Sequence, residues 1–564
     1  MMLAPVTLGW LCILAAESHA HIYPTSFANT TWDDENWSLT THSPDPGHYQ
    51  ARASLSNGYI GINLASLGPF FEVDTPVNGD NILGWPLFDR RQTFSTIAGF
   101  YGSLPGFPAN QSNFPWLNDL GYESVISGIP HWAGLDLEYN GSFLNATTDV
   151  DEISSFSSTW NFRNATLHWQ YTWTPAGGLP LNVTYAMLTH KLYINQATVQ
   201  MTISAAQAAN VTVYDVLDGD AAVRSLPHSS GYEEDNGTIW SAVQPVNVPY
   251  VTAYTFSKST VSGGLPGYTR TLLNSQSVVG TNGSSIAQAI QLTLGGESLT
   301  AVVTKYVGIA SSDAFDDPVE VARSAATAAA TSGFASMLQS HTEEWQTHFT
   351  TNSVDSYHLP NGSLPNDQNI IDQQIMSVTN PFGIFQNTVG TNAIAAANNS
   401  VRLDNNSIPV CGLGADCYAG LIFWDAENWM ASGLVVAHPQ AAKQIASYRV
   451  AKFKQAQLNV NEAYTSSQAN TSFSASSAIF PWTSGRFGNC TGTGPCFDYE
   501  YHVNGDIGLE LENLYYVTGD SAAFQSSYLP VYDAIAQIYS DLLQFNASSG
   551  LYTLSNATDP DEYA

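Results

Sequence analysis

Asp316-Asp317-Pro318-Val319-Glu320-Val321-Ala322-Arg323-Ser324-Ala325-Ala326-Thr327-Ala328-Ala329-Ala330-Thr331 marks the place where the chain changes character. Asp317 can cap a helix, Pro318 suits the first helical position, and Glu320 completes a capping-box-like start. The alanine-rich run that follows is a strong helix former. Gly333 should interrupt it, with Phe334 to Phe349 continuing as helix, so 316–350 reads as a helical connector. His341-Thr342-Glu343-Glu344-Trp345 lies within it, but the next histidine, His348, has the wrong spacing for a zinc helix.

Upstream, residues 21–315 carry the signature of strands. Leu167 to Trp173 is rich in aromatics, Pro175 to Gly178 reads as a turn, and Leu181 to Tyr185 alternates. Leu192 to Ile203 alternates again, with Val199, Met201 and Ile203 on one face. Short alternating runs punctuated by Gly, Pro and Asn predict an antiparallel β-sandwich. Downstream, Asn369–Val378, Leu421–His438, Gln440–Tyr464, Gly505–Val517 and Ser521–Phe545 have helical apolar spacing. Helices joined by loops at alternating ends predict an all-α layered or toroidal domain over 368–564. The expected organisation is therefore 1–20 as a leader, 21–315 as sandwich, 316–367 as linker and 368–564 as a helical domain.

Of 564 residues only 11% are charged, and Asp and Glu outnumber Lys and Arg by 48 to 16, a formal net charge of −32. Nucleic acid and anionic membranes need clustered cations, so neither is an expected partner. The 12% aromatic content argues against disorder. With so few bases left to repel one another once carboxylates protonate, the composition suits work in acid.

Met1–Ala20 has an apolar run from Leu3 to Ala16 and ends Ser18-His19-Ala20, a small-x-small cleavage pattern. The run is too short to span a bilayer, which takes about 20 residues. It reads as an export signal with no membrane insertion. Asn-x-Ser/Thr sequons recur from Asn29 to Asn556, which predicts N-linked glycans. Cys12 would leave with the signal. Cys411, Cys417, Cys490 and Cys496 then read as two disulfides, with the two short local pairs suggested but not dictated. Their spacing is wrong for zinc, and no metal or other cofactor is expected.

Three segments concentrate aromatic and acidic side chains. Phe423-Trp424-Asp425-Ala426-Glu427-Asn428-Trp429 sets two indoles around two carboxylates. Indoles stack on sugar rings and carboxylates accept hydrogen bonds from sugar hydroxyls. The same residues could equally be core aromatics beside a helix N-terminus. Phe480-Pro481-Trp482-Thr483-Ser484-Gly485 is followed by Tyr499-Glu500-Tyr501-His502-Val503-Asn504-Gly505-Asp506, where Glu500 and His502 could contact a ligand or simply cap a helix. Asp559-Pro560-Asp561-Glu562-Tyr563-Ala564 ends the sequence and by itself would pass for a solvated tail. No phosphate loop, dinucleotide fingerprint or serine elbow is present, and glycoside hydrolysis is the economical reading.

Together these segments resemble glycoside hydrolase family 65, in particular its fungal acid trehalase branch. The resemblance rests on five short motifs in order. They are Asn57-Gly58-Tyr59-Ile60-Gly61, Phe423 to Glu427, Phe480 to Ser484, Glu500 to Gly505 and Pro560 to Tyr563. It implies an N-terminal β-sandwich, a helical linker and an (α/α)6 barrel acting on α-glucosides with inversion. On that basis Trp424, Asp425 and Glu427 resemble residues of a glucose pocket. Glu500 and His502 resemble substrate-side contacts, and Glu562 the general acid. The implied substrate is trehalose, cleaved to two glucose molecules outside the cell, in the wall or in the vacuole.

The family's base and the rest of its barrel lie beyond the Pro-Asp-Glu-Tyr motif. The residues after 368 suffice for roughly half of twelve helices, so the barrel is expected only in part and the base beyond Ala564. A truncated chain of this kind is expected to have little activity. Alternatives are a disaccharide phosphorylase or another α-glucosidase of the same family, or a non-catalytic sugar-binding form.

Overall fold

A computed structural model describes residues 21–45, 52–73, 92–104, 123–234, 237–273, 282–296, 298–461, 473–491 and 496–560. The expected leader at 1–20 and Glu562 lie outside them.

The described N-terminal region is built on two packed antiparallel sheets, with a three-stranded sheet (Ser54–Ser56, Ile60–Asn63, Ser95–Ile97) and a two-stranded one (Tyr101–Leu104, Glu123–Ile126) beside them. Of the packed pair, the larger has eleven strands. Its centre runs Thr166–Trp173, Leu181–Thr189, Gln196–Ala205, Thr300–Ser311 and Ala253–Gly263 in spatial order. The smaller has five, in the order Ser142–Leu144, Leu135–Tyr139, Ala209–Leu217, Ile286–Leu294 and Thr269–Leu273. The alternation read in the sequence sets which side chains meet. Val183, Tyr185, Val199, Met201, Val303 and Val307 of the large sheet share one buried cluster with Leu135, Leu137, Val213 and Ile290 of the small one. The hydroxyl of Tyr185 crosses the gap to donate to the carbonyl of Leu135 at 3.0 Å.

The strand expected to begin at Leu192 begins at Gln196. His190 Nδ1 accepts from the amides of Leu192 and Tyr193, which turns the backbone before the ladder can start.

Eight α-helices follow among the described residues: α1 Pro318–His348, α2 Gln368–Phe385, α3 Thr391–Ala396, α4 Ser432–Leu434, α5 Pro439–Asn459, α6 His502–Thr518, α7 Ser521–Ala523 and α8 Leu529–Leu542. Asp317 caps α1 through the Glu320 amide at 3.2 Å, and Gly333 breaks its geometry with φ +75°, both as expected. The alanines do more than favour helix. Ala322 and Ala326 are buried against the strand Thr300–Ser311, where a Cβ on Gly308 would sit 1.9 Å from the Ala322 carbonyl oxygen. Only a glycine facing small residues lets helix and sheet approach so closely. His341 is packed, with its ring bonded to the Lys191 amide and the Asn164 carbonyl.

Several expected helix boundaries move: the helix expected to end at Val378 runs on to Phe385, and the one expected to reach Tyr464 ends at Asn459. Leu421–His438 is helical only from Ala426, first as a π-turn to Ala431, because Ile422 spends its backbone on a bridge to Ser484. The last expected helix stops at Leu542, and Gln544–Asn546 pairs with Leu551–Thr553 as a hairpin. α6 starts at His502, three residues early. The helices close onto the sandwich through a second cluster in which Trp32 and Phe162 meet Phe382, Ile422, Phe423 and Trp424. Cys411 pairs with Cys417 and Cys490 with Cys496. Among the described residues no helix is long and apolar enough to cross a membrane.

Candidate active site

The acidic-aromatic segments converge. Trp424 stands at the entry of the π-turn, and its ring meets His502 edge-on at 5.5 Å and Trp429 at 5.8 Å. His502 opens α6 and is held from both sides. Nε2 bonds Glu500 Oε2 at 2.9 Å, and Nδ1 bonds Asp506 Oδ2, one helical turn on, at 2.8 Å. Burial alone would lower the affinity of this ring for its proton. The two carboxylate hydrogen bonds outweigh that effect and carry the pKa up to about 9. The ring is therefore an imidazolium in acid. Asp425, next to Trp424, is half-buried, and burial raises its carboxyl above the ordinary range against a hydrogen bond from its own amide.

Glu427 is an internal anchor. Its side chain is fully buried and forked onto Arg449, Oε1 at 2.6 Å from Nε and Oε2 at 3.0 Å from Nη2. The Phe-Trp-Asp-x-Glu motif thus divides into a face with Trp424 and Asp425 and an inward anchor. Asn504 is likewise inward, accepting from the Phe480 amide at 2.8 Å. Gly505 leaves room for Tyr539, whose hydroxyl would lie 2.8 Å from an added Cβ.

Asn57-Gly58-Tyr59-Ile60-Gly61 is a joint between sheet and helices. Asn57 Oδ1 accepts from the amides of Tyr59 and Ile60, and Nδ2 donates to the carbonyls of His190 and Ile194. Two cavities of about 390 Å³ also open near the helices, one bordered by Tyr250, Asp313 and Arg486 and the other by Lys191, His348 and His438. Neither is lined by Trp424, Asp425 or His502.

The chain matches the profile of the glycosyl hydrolase family 65 N-terminal domain over residues 39–348 and that of the family's central catalytic domain over 391–564. The chain belongs to glycosyl hydrolase family 65. It is 47% identical over 545 residues to an acid trehalase of Emericella nidulans, across 96% of this chain and 51% of that protein. It is 45% identical to a cell wall acid trehalase of Arthroderma benhamiae, again across 96% of this chain and 51% of the other. The chain thus spans about half the length of these curated relatives. A solved structure described as a putative kojibiose phosphorylase from human microbiome superposes with a TM-score of 0.70 at 14% identity, across 94% of this chain and 62% of that one. That likeness shows the shared fold: a large antiparallel β region followed by helices.

In this family 65 chain the structure brings Trp424, Glu500 and His502 together with Asp506, leaves Asp425 half-buried beside Trp424 in the chain, and ties Glu427 to Arg449. Reasoning on the sequence missed Asp506 and Arg449. Asp506 had a signal, since it follows His502 by four residues on an expected helix. Arg449 had only the rarity of arginine on an otherwise apolar helix face.

The clamp on His502 has a measurable consequence. A pKa of about 9, against 6.5 when unfolded, means the imidazolium stabilises the fold fully below pH 6.5, and this is lost as pH rises through 9. Discounted for its partial exposure, the loss should be about 1–2 kcal/mol between pH 6 and 9. Urea titrations of wild type and His502→Gln at several pH values should show that decline in the wild type alone. An equal decline in the variant would remove His502 as its source.

Proposed function

We propose that the protein is an exported acid α,α-trehalase that hydrolyses trehalose to two glucose molecules with inversion. The observation that carries this is the 47% identity to an acid trehalase, sustained along 96% of the chain. The site supports it. Trp424 offers an indole face for one glucose ring, Asp425 and Glu500 offer two carboxylate acceptors for its hydroxyls, and His502, with both N–H groups spent on Glu500 and Asp506, holds the Glu500 carboxylate in place. Glu562 is the proposed general acid, protonating the glycosidic oxygen while a second carboxylate about 6.5–9.5 Å away activates water. Residues 1–20 serve as export signal, 21–315 as sandwich, 316–367 as linker and 368–564 as part of the barrel. Sequon asparagines carry N-linked glycans, and the cell wall or exterior is the proposed destination.

The test is glucose release from trehalose at pH 4.5 by the full-length protein, with and without phosphate. Release that needs no phosphate is expected. A strict need for phosphate would replace hydrolysis by phosphorolysis, and no release would sink the reading. Within it, Asp425→Asn should lower kcat/KM at least tenfold, about 1.5 kcal/mol of lost charge-assisted hydrogen bonding. Unchanged kinetics would take Asp425 out of the pocket.

A further inference from the structure

We propose that Tyr448 and Arg449, adjacent on α5, are positioning residues that hold the two aromatic segments of the sugar pocket in register. The proposal rests on the pocket reading above. Arg449 is fully buried, and its guanidinium plane does two things at once. It forks onto Glu427, fixing the far end of the turn that begins at Trp424 and Asp425. It also lies 5.8 Å from the ring centre of Phe480, the first residue of the Phe-Pro-Trp segment. Tyr448, one residue earlier, reaches the other end of that segment. Its hydroxyl lies 2.6 Å from Ser484 Oγ and donates to the Gly485 carbonyl at 2.8 Å. Ser484 in turn pairs with Ile422 through both backbone groups, at 2.8 and 3.0 Å. One turn of α5 is thereby tied to both ends of each segment.

The electrostatics suit a fixed joint. A guanidinium fork accepts one carboxylate in one orientation, whereas a lysine would act as a point charge. A third buried group, Glu510 of α6, has neither carboxyl oxygen hydrogen-bonded. Burial first, and the nearby Glu427 second, push the Glu510 carboxyl well above the ordinary carboxylate range. Of the two carboxyls, Glu427 is the one whose oxygens are hydrogen-bonded to Arg449.

A joint that only supports the fold would be replaceable by apolar groups of similar size, since buried ion pairs often exchange for such packing without loss of stability. A joint that positions would not be. The test therefore uses three variants of the full-length protein: Arg449→Met, the double variant Glu427→Met with Arg449→Met, and Tyr448→Phe. Arg449→Met alone leaves Glu427 buried and unpaired and is expected to unfold at lower urea. The double variant should recover most of that stability, yet keep a KM for trehalose about tenfold above wild type with a smaller change in kcat. Tyr448→Phe should show the same split more weakly. Hydrogen exchange gives a readout independent of activity. Amides in 422–431 and 480–485 should exchange faster in the double variant than in wild type, while those of Leu181–Thr189 stay unchanged. Wild-type exchange in both segments, or full kinetic recovery in the double variant, would overturn the proposal. Inactive wild type with faster exchange in the double variant would count against the trehalase reading and leave the joint standing.

Discussion

Lys305→Met is expected to destabilise the protein by about 3–5 kcal/mol. Lys305 comes from the strand Thr300–Ser311 of the large sheet and Asp215 from Ala209–Leu217 of the small one. Their side chains meet fully buried at 2.9 Å in the middle of the sandwich. The pair is completed by its surroundings. Lys305 Nζ donates to the carbonyls of Gly134 and Val216, while Asp215 accepts from Ser257 Oγ and Gln288 Nε2. Methionine fills the volume but strands the carboxylate, and that uncompensated charge sets the magnitude. Adding Asp215→Asn should restore much of the loss, because a neutral amide oxygen still accepts from Ser257 and Gln288. Urea unfolding of the wild type, single and double variants decides it. A loss below 1 kcal/mol in Lys305→Met would show that water or another cation reaches Asp215.

Gly58→Ala is expected to cost about 3 kcal/mol or more, from two additive causes. Gly58 sits at φ +93°, where a side chain is strained in any surroundings. An added Cβ would also lie 2.2 Å from the Thr388 carbonyl oxygen just beyond α2. That oxygen is poorly placed to retreat, since Lys191 Nζ donates to it at 2.7 Å and to the Phe385 carbonyl at 2.8 Å. Gly177→Ala supplies the control: its φ is +70° with nothing within 4 Å, so it reports the backbone cost alone. Thermal unfolding of the two variants should differ by the steric part. Equal midpoints would mean that the sheet-to-helix joint at Gly58 is softer than the contact implies.

Much of this protein is legible in one dimension. Period-two alternation set which faces of 181–185 and 199–203 are buried, because a strand's side chains alternate whatever it pairs with. Asp317, Pro318 and Gly333 marked the start and the break of α1, because capping and positive φ are properties of single residues. The order of the aromatic-acidic motifs pointed to family 65 and to the residues that meet around His502. Three-dimensional packing decided the rest. Whether a carboxylate in Trp424-Asp425-Ala426-Glu427 faces a ligand or an arginine depends on Arg449, twenty-two residues on, and no local pattern carries that. The helix expected from Leu421 cannot start there because Ile422 is already paired with Ser484, sixty-two residues away. His502 holds its proton because Asp506 and Glu500 close on it from a helix and the loop before it. Periodicity and capping are local and therefore written in the sequence, whereas desolvation and pairing of charges depend on which distant groups the fold brings within about 3 Å, and only the tertiary structure sets that.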